Sequence, residues 1–128
     1  MINQTIEQEL ADIILEVGVP PNITGYKFLR EAIIDVVKDQ NLATSITKGL
    51  YPLVAEKFDT SSNKVERSIR HAIEVAYNSG KILNLNTRFG LQIFGKYDKP
   101  SNGQLIALIA DRLIIENFHE LYQKGYVK

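Results

Sequence analysis

Residues 46–79 read ITKGLYPLVAEKFDTSSNKVERSIRHAIEVAYNS and hold two apolar helical patterns joined by a short polar turn. In the first pattern, about residues 46–58, apolar side chains recur at three- and four-residue steps, the spacing of one helix face. The turn, residues 59–63, consists of Asp, Thr, Ser and Asn, the residue types that cap helix N-termini. This arrangement predicts a helix-turn-helix over about residues 46–80, whose second helix can enter the major groove of DNA.

The second helix of this pair is predicted to begin in the polar turn and to run to about Ser79. We expect Ser61 to be its N-cap, with Ser62 or Asn63 as alternatives, because a short hydroxyl or amide side chain can accept a hydrogen bond from the first free backbone amides. Gly80 supplies the stop, since glycine adopts the left-handed conformation that ends many helices.

Projection at about 100° per residue divides this second helix into two faces. The side chains predicted to face the core are Val65, Ile69, Ala72 and Ala76. The side chains predicted to face solvent are Glu66, Arg67, Arg70, His71 and Glu74. Most of the outward groups lie in the first half of the helix, which is the part of a recognition helix that meets base edges.

Glu66, Arg67 and Arg70 are the candidates for base contacts. An arginine fork donates two hydrogen bonds to O6 and N7 of guanine, and a carboxylate accepts from N4 of cytosine. Arg67 and Arg70 lie three positions apart and can reach neighbouring bases. The same spacing also permits surface ion pairs, because Glu66 and Arg70 form an i,i+4 pair worth roughly 0.3 kcal/mol.

The candidates for contacts to DNA phosphates lie at the start of the helix and along its outward arc. They are Ser61, Ser62, Asn63, Lys64 and His71. Exposed backbone amides and short polar side chains at a helix start can hold a phosphate, and a lysine supplies positive charge. An exposed helical histidine without a ligand is the alternative interpretation of His71.

The rest of the chain also shows helical periodicity, punctuated by proline and glycine. Further helices are predicted at about residues 5–17, 26–39, near 83–89 and at 104–122. The last helix is expected to turn Phe118 and Leu121 inward, and the tail, residues 123–128, to be frayed. No strand pattern is convincing, and the short alternation at residues 90–94 is isolated. We therefore predict an all-α fold, a compact bundle of five to six helices in a single domain, residues 1–128.

Composition limits the possible function classes. The 128 residues are 45% apolar and 23% charged, an ordinary globular balance. There is no cysteine, and therefore no disulfide framework or thiolate metal site. We expect neither a cofactor nor a metal, and no membrane association, because no apolar run approaches the roughly 18 residues that span a bilayer. The N-terminus does not resemble a signal peptide, so we expect a cytoplasmic location.

The charge is unevenly distributed along the chain. The 15 basic and 15 acidic residues cancel, which by itself argues against a nucleic-acid partner. Residues 1–60 nevertheless carry a net charge of −4, and residues 61–99 carry +4. The basic segment contains the predicted second helix and is consistent either with a DNA contact or with a lysine-rich solvated surface.

An enzyme is not expected. The two histidines, His71 and His119, fall on separate predicted helices, and no glycine-rich phosphate loop or nucleophile elbow is present. The acidic residues Glu31, Asp35 and Asp39 are more simply explained as a solvated helix face.

Three stretches resemble one known family. They are ITGYKFLREAI at residues 23–33, ITKGLYP at 46–52 and VERSIRHAIEVA at 65–76. The family is the C-terminal effector domain of the sporulation-initiation response regulator of endospore-forming Firmicutes, stage-zero sporulation protein A. The resemblance covers roughly residues 6–116, and its last block is long and specific.

The resemblance implies a six-helix DNA-binding domain that recognises a short operator element in double-stranded DNA containing guanine and cytosine. It assigns base contacts to Glu66, Arg67 and Arg70. It also implies binding to tandem elements as a head-to-tail homodimer, at least on DNA, and a contact with the RNA polymerase sigma factor through about residues 80–93.

The sequence departs from the family pattern at several positions. Lys64 stands where an arginine is usual, which keeps the charge but loses the bidentate fork. Tyr77 replaces a tryptophan, and residues 81–86 diverge, which weakens the sigma-factor assignment. The family normally carries an N-terminal receiver domain, and 128 residues from Met1 leave no room for one. We therefore expect a fragment or a stand-alone protein, and the start methionine favours the second.

A protein-interaction module is the alternative to a DNA-binding regulator. Such a module would modulate a full-length regulator or the polymerase through the apolar residues around Phe94 and Tyr97, or through the last helix. It predicts weak or absent DNA binding, and the glutamate and two arginines on the outward face argue against it.

Overall fold

The computed structural model describes residues 5–127, and all regular secondary structure in that range is helical. In chain order the α-helices are α1 (Ile6–Glu16), α2 (Thr24–Lys38), α3 (Tyr51–Lys57), α4 (Ser62–Asn78), α5 (Asn84–Phe89), α6 (Asn102–Glu116) and α7 (Phe118–Gln123). Two 3₁₀ segments, Gln40–Thr44 and Lys81–Leu83, and one π turn, Ile46–Leu50, complete the regular elements. The predicted all-α class is confirmed.

Helix α2 is the centre of the bundle. It packs most extensively against α4 on one side and α6 on another, and it also contacts α1 and α3. Its buried residues follow the helical repeat and include Phe28, Leu29, Ile33 and Val36. Because α2 touches most of the other long elements, the position of α4 is set by α2 as well as by its helix-turn-helix partner α3.

Side-chain caps define the starts of three helices. Thr5 and Ser101 each form a reciprocal capping box, with Gln8 and Gln104 respectively. The Ser61 hydroxyl accepts a hydrogen bond from the Lys64 amide at 3.1 Å, so the predicted N-cap of α4 is confirmed. These local bonds satisfy backbone donors that the helix itself leaves free.

The first helix of the predicted pair is not one regular α-helix from 46 to 58. It begins as the π turn at Ile46–Leu50 and continues as α3, with Pro52 in the first turn of α3. Proline has no amide hydrogen, and its ring clashes with the carbonyl four residues earlier, here that of Lys48. A wider turn before Pro52 relieves that clash, which explains the π geometry.

The predicted last helix, 104–122, is two helices. The chain leaves the helical conformation at Asn117, and the Asn117 side-chain Nδ2 donates to the Leu113 carbonyl at 2.9 Å and to Glu9 Oε2 at 3.3 Å. This break redirects α7 so that Leu121 is buried while Phe118 is 47% exposed. The expectation that Leu121 faces inward is therefore confirmed, and the same expectation for Phe118 is wrong.

The tail was predicted to be frayed, and this is wrong for its described part. Gly125 takes a φ of +79°, which turns the chain back towards the bundle. Val127 is then 93% buried, since only 7% of its surface is exposed, and the Gln40 side chain donates to the Tyr126 carbonyl at 3.3 Å. Lys128 lies outside the described residues.

The helix-turn-helix is formed by α3, a short turn and α4. Asp59 adopts a left-handed φ of +52° in the turn, and the Thr60 amide donates to the Ala55 carbonyl at 2.9 Å. Gly80 follows α4 and adopts a left-handed φ of +77°, which stops the helix as predicted. Within residues 5–127 no helix combines the length and apolar content needed to cross a membrane.

Candidate nucleic-acid interface

Helix α4 presents the faces that its periodicity predicts. Its buried residues are Val65, Ile69, Ala72, Ile73 and Ala76. The first half of the opposite face is open to solvent, with Asn63, Lys64, Arg67, Arg70 and His71 all exposed. A helix half-buried in this way keeps a fixed orientation because its apolar face is packed, while its polar face stays free to bind.

The three candidates for base contacts differ in their surroundings. Arg67 is exposed, and its Nε donates to the Asn63 carbonyl at 3.4 Å. Arg70 Nη1 lies 2.7 Å from Glu66 Oε1, so these two side chains form the i,i+4 ion pair that spacing allowed. The Arg70 side chain remains 60% exposed and that of Glu66 32%. Such an exposed pair is weak and can open when either group meets a better partner.

The outward residues of α4 fall on two flanks, each bordered by a groove. The first groove, of about 470 Å³, is lined by Asn22, Ile23, Thr24, Gly25, Lys64, Arg67, Ser68 and His71. The second, of about 550 Å³, contains Glu66 and Arg70 on α4 and the segment 99–104 that leads into α6. Lys64 and Arg67 therefore face the start of α2, whereas Glu66 and Arg70 face the start of α6.

The Asn102 side chain, which lines the second groove, connects α6 to both α3 and α4. The Asn102 amide nitrogen donates to the Tyr51 hydroxyl at 3.0 Å and to the Glu66 carbonyl at 3.1 Å. Tyr51 is only 5% exposed, and this burial raises the pKa of its hydroxyl. These bonds hold the start of α6 against the turn of α4 that carries Glu66.

The candidates at the start of α4 differ in availability. The Ser61 hydroxyl already accepts the Lys64 amide, although the residue is exposed. Ser62 is half-buried, and Asn63 is exposed. Lys64 and His71 are exposed and share the first groove with Arg67. The five candidates therefore divide between the helix start and the flank that faces α2.

Sequence reasoning missed the bordering segments, 22–25 and 99–104. Gly25 was a signal for the first, since a glycine in a helical pattern often marks a close backbone approach. A Cβ built on Gly25 would lie 2.2 Å from the Ser68 carbonyl oxygen of α4. No comparable signal marked Asn102, whose partners are 51 and 36 residues away along the chain.

The segment 80–93 forms a compact extension after α4. The Asn86 side-chain oxygen accepts the backbone amides of Ile93 and Phe94 at 2.9 and 3.0 Å, which explains why the short alternation at 90–94 is not a strand. Arg88 pairs with Glu16 of α1 at 2.6 Å. Leu83 and Leu91 are the large apolar side chains that this segment leaves exposed.

Among the described residues, no group of three or more His, Cys, Asp or Glu side chains is arranged to hold a metal ion. His71 lies on α4, while His119 lies on α7.

A comparison of the sequence with family models agrees with the geometry of α4 and its flanks. The model described as the sporulation initiation factor Spo0A C-terminal family matches residues 10–113. The match contains α2, the whole helix-turn-helix and both grooves, and it ends within α6.

Proposed function

The chain belongs to the Spo0A C-terminal family of DNA-binding effector domains of sporulation regulators, and on that premise we propose that it is a sequence-specific transcription regulator. It binds double-stranded DNA and acts in the cytoplasm. Helix α4 lies in the major groove over a short operator element that contains guanine and cytosine. The observation that carries the proposal is the set of exposed Arg67 and Arg70 with half-buried Glu66 on a helix whose other face is packed.

Glu66, Arg67 and Arg70 read bases in this proposal. Arg67 is exposed, and no carboxylate pairs with it among the described contacts, so its fork is free for guanine. Arg70 exchanges its ion pair with Glu66 for a base contact, which frees the Glu66 carboxylate to accept from a cytosine amine. In the absence of DNA, the ion pair between Arg70 and Glu66 keeps both side chains over the same stretch of helix.

Phosphate contacts fix the position of α4 without reading sequence. We assign them to Ser61, Ser62, Asn63, Lys64 and His71, because these residues border the base-reading set at the helix start and on the α2 flank. The Ser61 hydroxyl contributes through the cap that it forms, which orients the first amides of α4.

The family resemblance also supports two protein partners. We propose that two copies bind tandem elements on DNA as a homodimer, and that residues 80–93 contact the RNA polymerase sigma factor. The exposed Leu83 and Leu91 of that compact segment are available for such a contact.

Alanine at Arg67 or Arg70 tests base reading. Each change should cost about 1–3 kcal/mol on a site selected from random duplexes and should relax preference at one base pair, because one bidentate contact is lost. Equilibrium binding to the selected site and to its single-base variants measures both effects. If both variants keep wild-type affinity and base preference, the proposed reading by α4 is wrong.

Lys64→Ala is the matched control in the same experiment, because Lys64 lies on α4 one turn from Arg67. It should weaken binding to all duplexes by a similar factor and reduce the slope of log affinity against log salt by about one. A loss confined to one sequence would instead assign Lys64 to base reading.

A protein-interaction module is the second candidate function. The exposed aromatic residues favour it, since Tyr97 is 82% exposed and Phe118 and Tyr122 stack with centroids 6.3 Å apart on the outside of α7. This candidate requires that the wild-type protein select no sequence from random DNA. The same selection therefore discriminates between the two functions.

A further inference from the structure

Helix α2 reaches the solvent-facing flank of α4 through a close crossing at Gly25. A Cβ built on Gly25 would lie 2.2 Å from the Ser68 carbonyl oxygen and 2.7 Å from the Ala72 Cβ, so the two backbones are in contact there. Asn22 and Thr24 stand immediately beside this crossing, and both are exposed. Their distance from α4 is therefore set by packed backbone rather than by a mobile loop.

The groove between these residues and α4 has a basic and polar lining. Lys64, Arg67 and His71 line it from α4, where they share one helix flank. Asn22 and Thr24 line it from the other side with an amide and a hydroxyl. Among the described residues that line this groove none is acidic, whereas the groove on the opposite flank of α4 contains Glu66.

We propose that Asn22 and Thr24, together with Lys64 and His71, bind one backbone phosphate of DNA beside the base that Arg67 reads. An α-helix about 10–12 Å across fills a major groove about 12 Å wide, so the bordering phosphates run along its two flanks. The Asn22 amide and the Thr24 hydroxyl donate hydrogen bonds to this phosphate, and Lys64 supplies charge. The inference rests on the proposed function and extends the DNA contact to α2, outside the helix-turn-helix.

The test combines a protein variant with DNA in which single phosphates are neutral. Wild-type protein and the Asn22→Ala, Thr24→Val double variant are each titrated with the selected duplex carrying one methylphosphonate at successive positions. The variant should bind selected and scrambled duplexes three- to tenfold more weakly, to about the same extent, because phosphate contacts carry no sequence information. At one position the methylphosphonate should weaken wild type but not the variant, which identifies the shared phosphate.

Asn41→Ala is the matched control, since Asn41 is exposed just beyond the far end of α2, about 20 Å from Asn22 by helix rise. It should leave affinity and the methylphosphonate profile unchanged. Thermal melting by circular dichroism checks folding, and the two single variants are used if the double variant melts earlier.

Two results would overturn the inference while leaving base reading intact. One is a variant with wild-type affinity. The other is a variant whose binding is weakened by each methylphosphonate as much as wild-type binding is. In that case Asn22 and Thr24 contact none of the substituted phosphates. A wild-type protein that binds no duplex overturns this inference and the proposed function together.

Discussion

Asp35 is the only charged residue that is buried among residues 5–127, with 3% of its surface exposed, so the expectation that it belongs to a solvated helix face is wrong. Lys57, near the end of α3, donates to Asp35 Oδ1 and also to Glu31 at 2.7 Å, so it joins the first helix of the helix-turn-helix to α2. Asp35 Oδ2 has no hydrogen-bond partner in the described structure. The pair stabilises the charge of Lys57, while burial penalises the charge of Asp35.

Burial raises the pKa of Asp35 above its ordinary value, although the hydrogen bond from Lys57 acts in the opposite direction. A raised pKa means that the folded protein holds the proton more tightly than the unfolded chain does. The contribution of Asp35 to the free energy of unfolding is therefore fully present at pH values below its ordinary, unfolded-state pKa. It is lost as the pH rises through the pKa of Asp35 in the folded protein. Lys57 limits this loss at neutral pH.

Lys57→Met should expose the cost of the buried carboxylate. Without the ammonium group the pKa of Asp35 rises further, so the variant should lose about 2 kcal/mol at pH 7 relative to wild type. This is less than for a fully buried pair, because the Lys57 side chain is 38% exposed. The difference should shrink as the pH is lowered, because protonation of Asp35 removes the buried charge that Lys57 compensates. Urea denaturation at a series of pH values measures it.

Lys48→Met supplies the control, because Lys48 is exposed and its loss should change stability by less than about 0.5 kcal/mol at any pH. A Lys57→Met deficit that stays constant between pH 4 and pH 7 would show that packing, and not the Asp35 charge, causes the loss.

At the scale of elements, the crossing of α2 and α4 depends on the absence of a side chain at Gly25. Gly25→Ala gains up to about 1 kcal/mol of helix propensity. The new Cβ, however, would meet the backbone oxygen of Ser68, which cannot rotate away, and overpacking of this kind costs about 1–3 kcal/mol or more. We expect a net loss of up to about 2 kcal/mol, measured as a lower melting temperature.

Gly103→Ala in α6 separates the steric effect from helix propensity. A Cβ at Gly103 would have its nearest neighbour, Ile46 Cγ1, at an ordinary 3.7 Å. This variant should be neutral or more stable by up to about 1 kcal/mol. Equal behaviour of the two alanine variants would mean that α2 and α4 can separate at Gly25 without cost.

At the scale of the whole molecule, the zero net charge has consequences for DNA binding. An acidic first half and a +4 segment at residues 61–99 neutralise few phosphates, so binding to non-specific DNA should be weak and selectivity should rest on base contacts. Two neutral copies also meet little net repulsion when they bind side by side.

Dimer formation on DNA can be tested by stoichiometry. Sedimentation with a duplex that carries two selected sites in tandem should show two proteins per duplex, with the second binding more tightly than the first. Shifting one site by about half a helical turn should abolish this cooperativity, because the copies then lie on opposite faces of the DNA. A single protein per two-site duplex would contradict the proposed dimer.

The sequence alone was sufficient to predict features that depend on neighbours within a few residues. The apolar repeat located the long helices, Ser61 and Gly80 marked the ends of the α4 region, and the 3.6-residue period placed Arg67 and Arg70 outward. The specific block at residues 65–76 also pointed to the family that the comparison confirms. Each of these signals is local, because helix hydrogen bonds and caps join residues three or four apart.

Only the tertiary structure determined which segments border α4 and how the residues after α7 pack. The contact of Gly25 with Ser68, the bond from Asn102 to the Glu66 carbonyl and the burial of Val127 all join residues that lie far apart in the chain. No local pattern encodes such pairs, since they depend on how the helices pack. The outward face of α4 was therefore predictable, and the two grooves beside it were not.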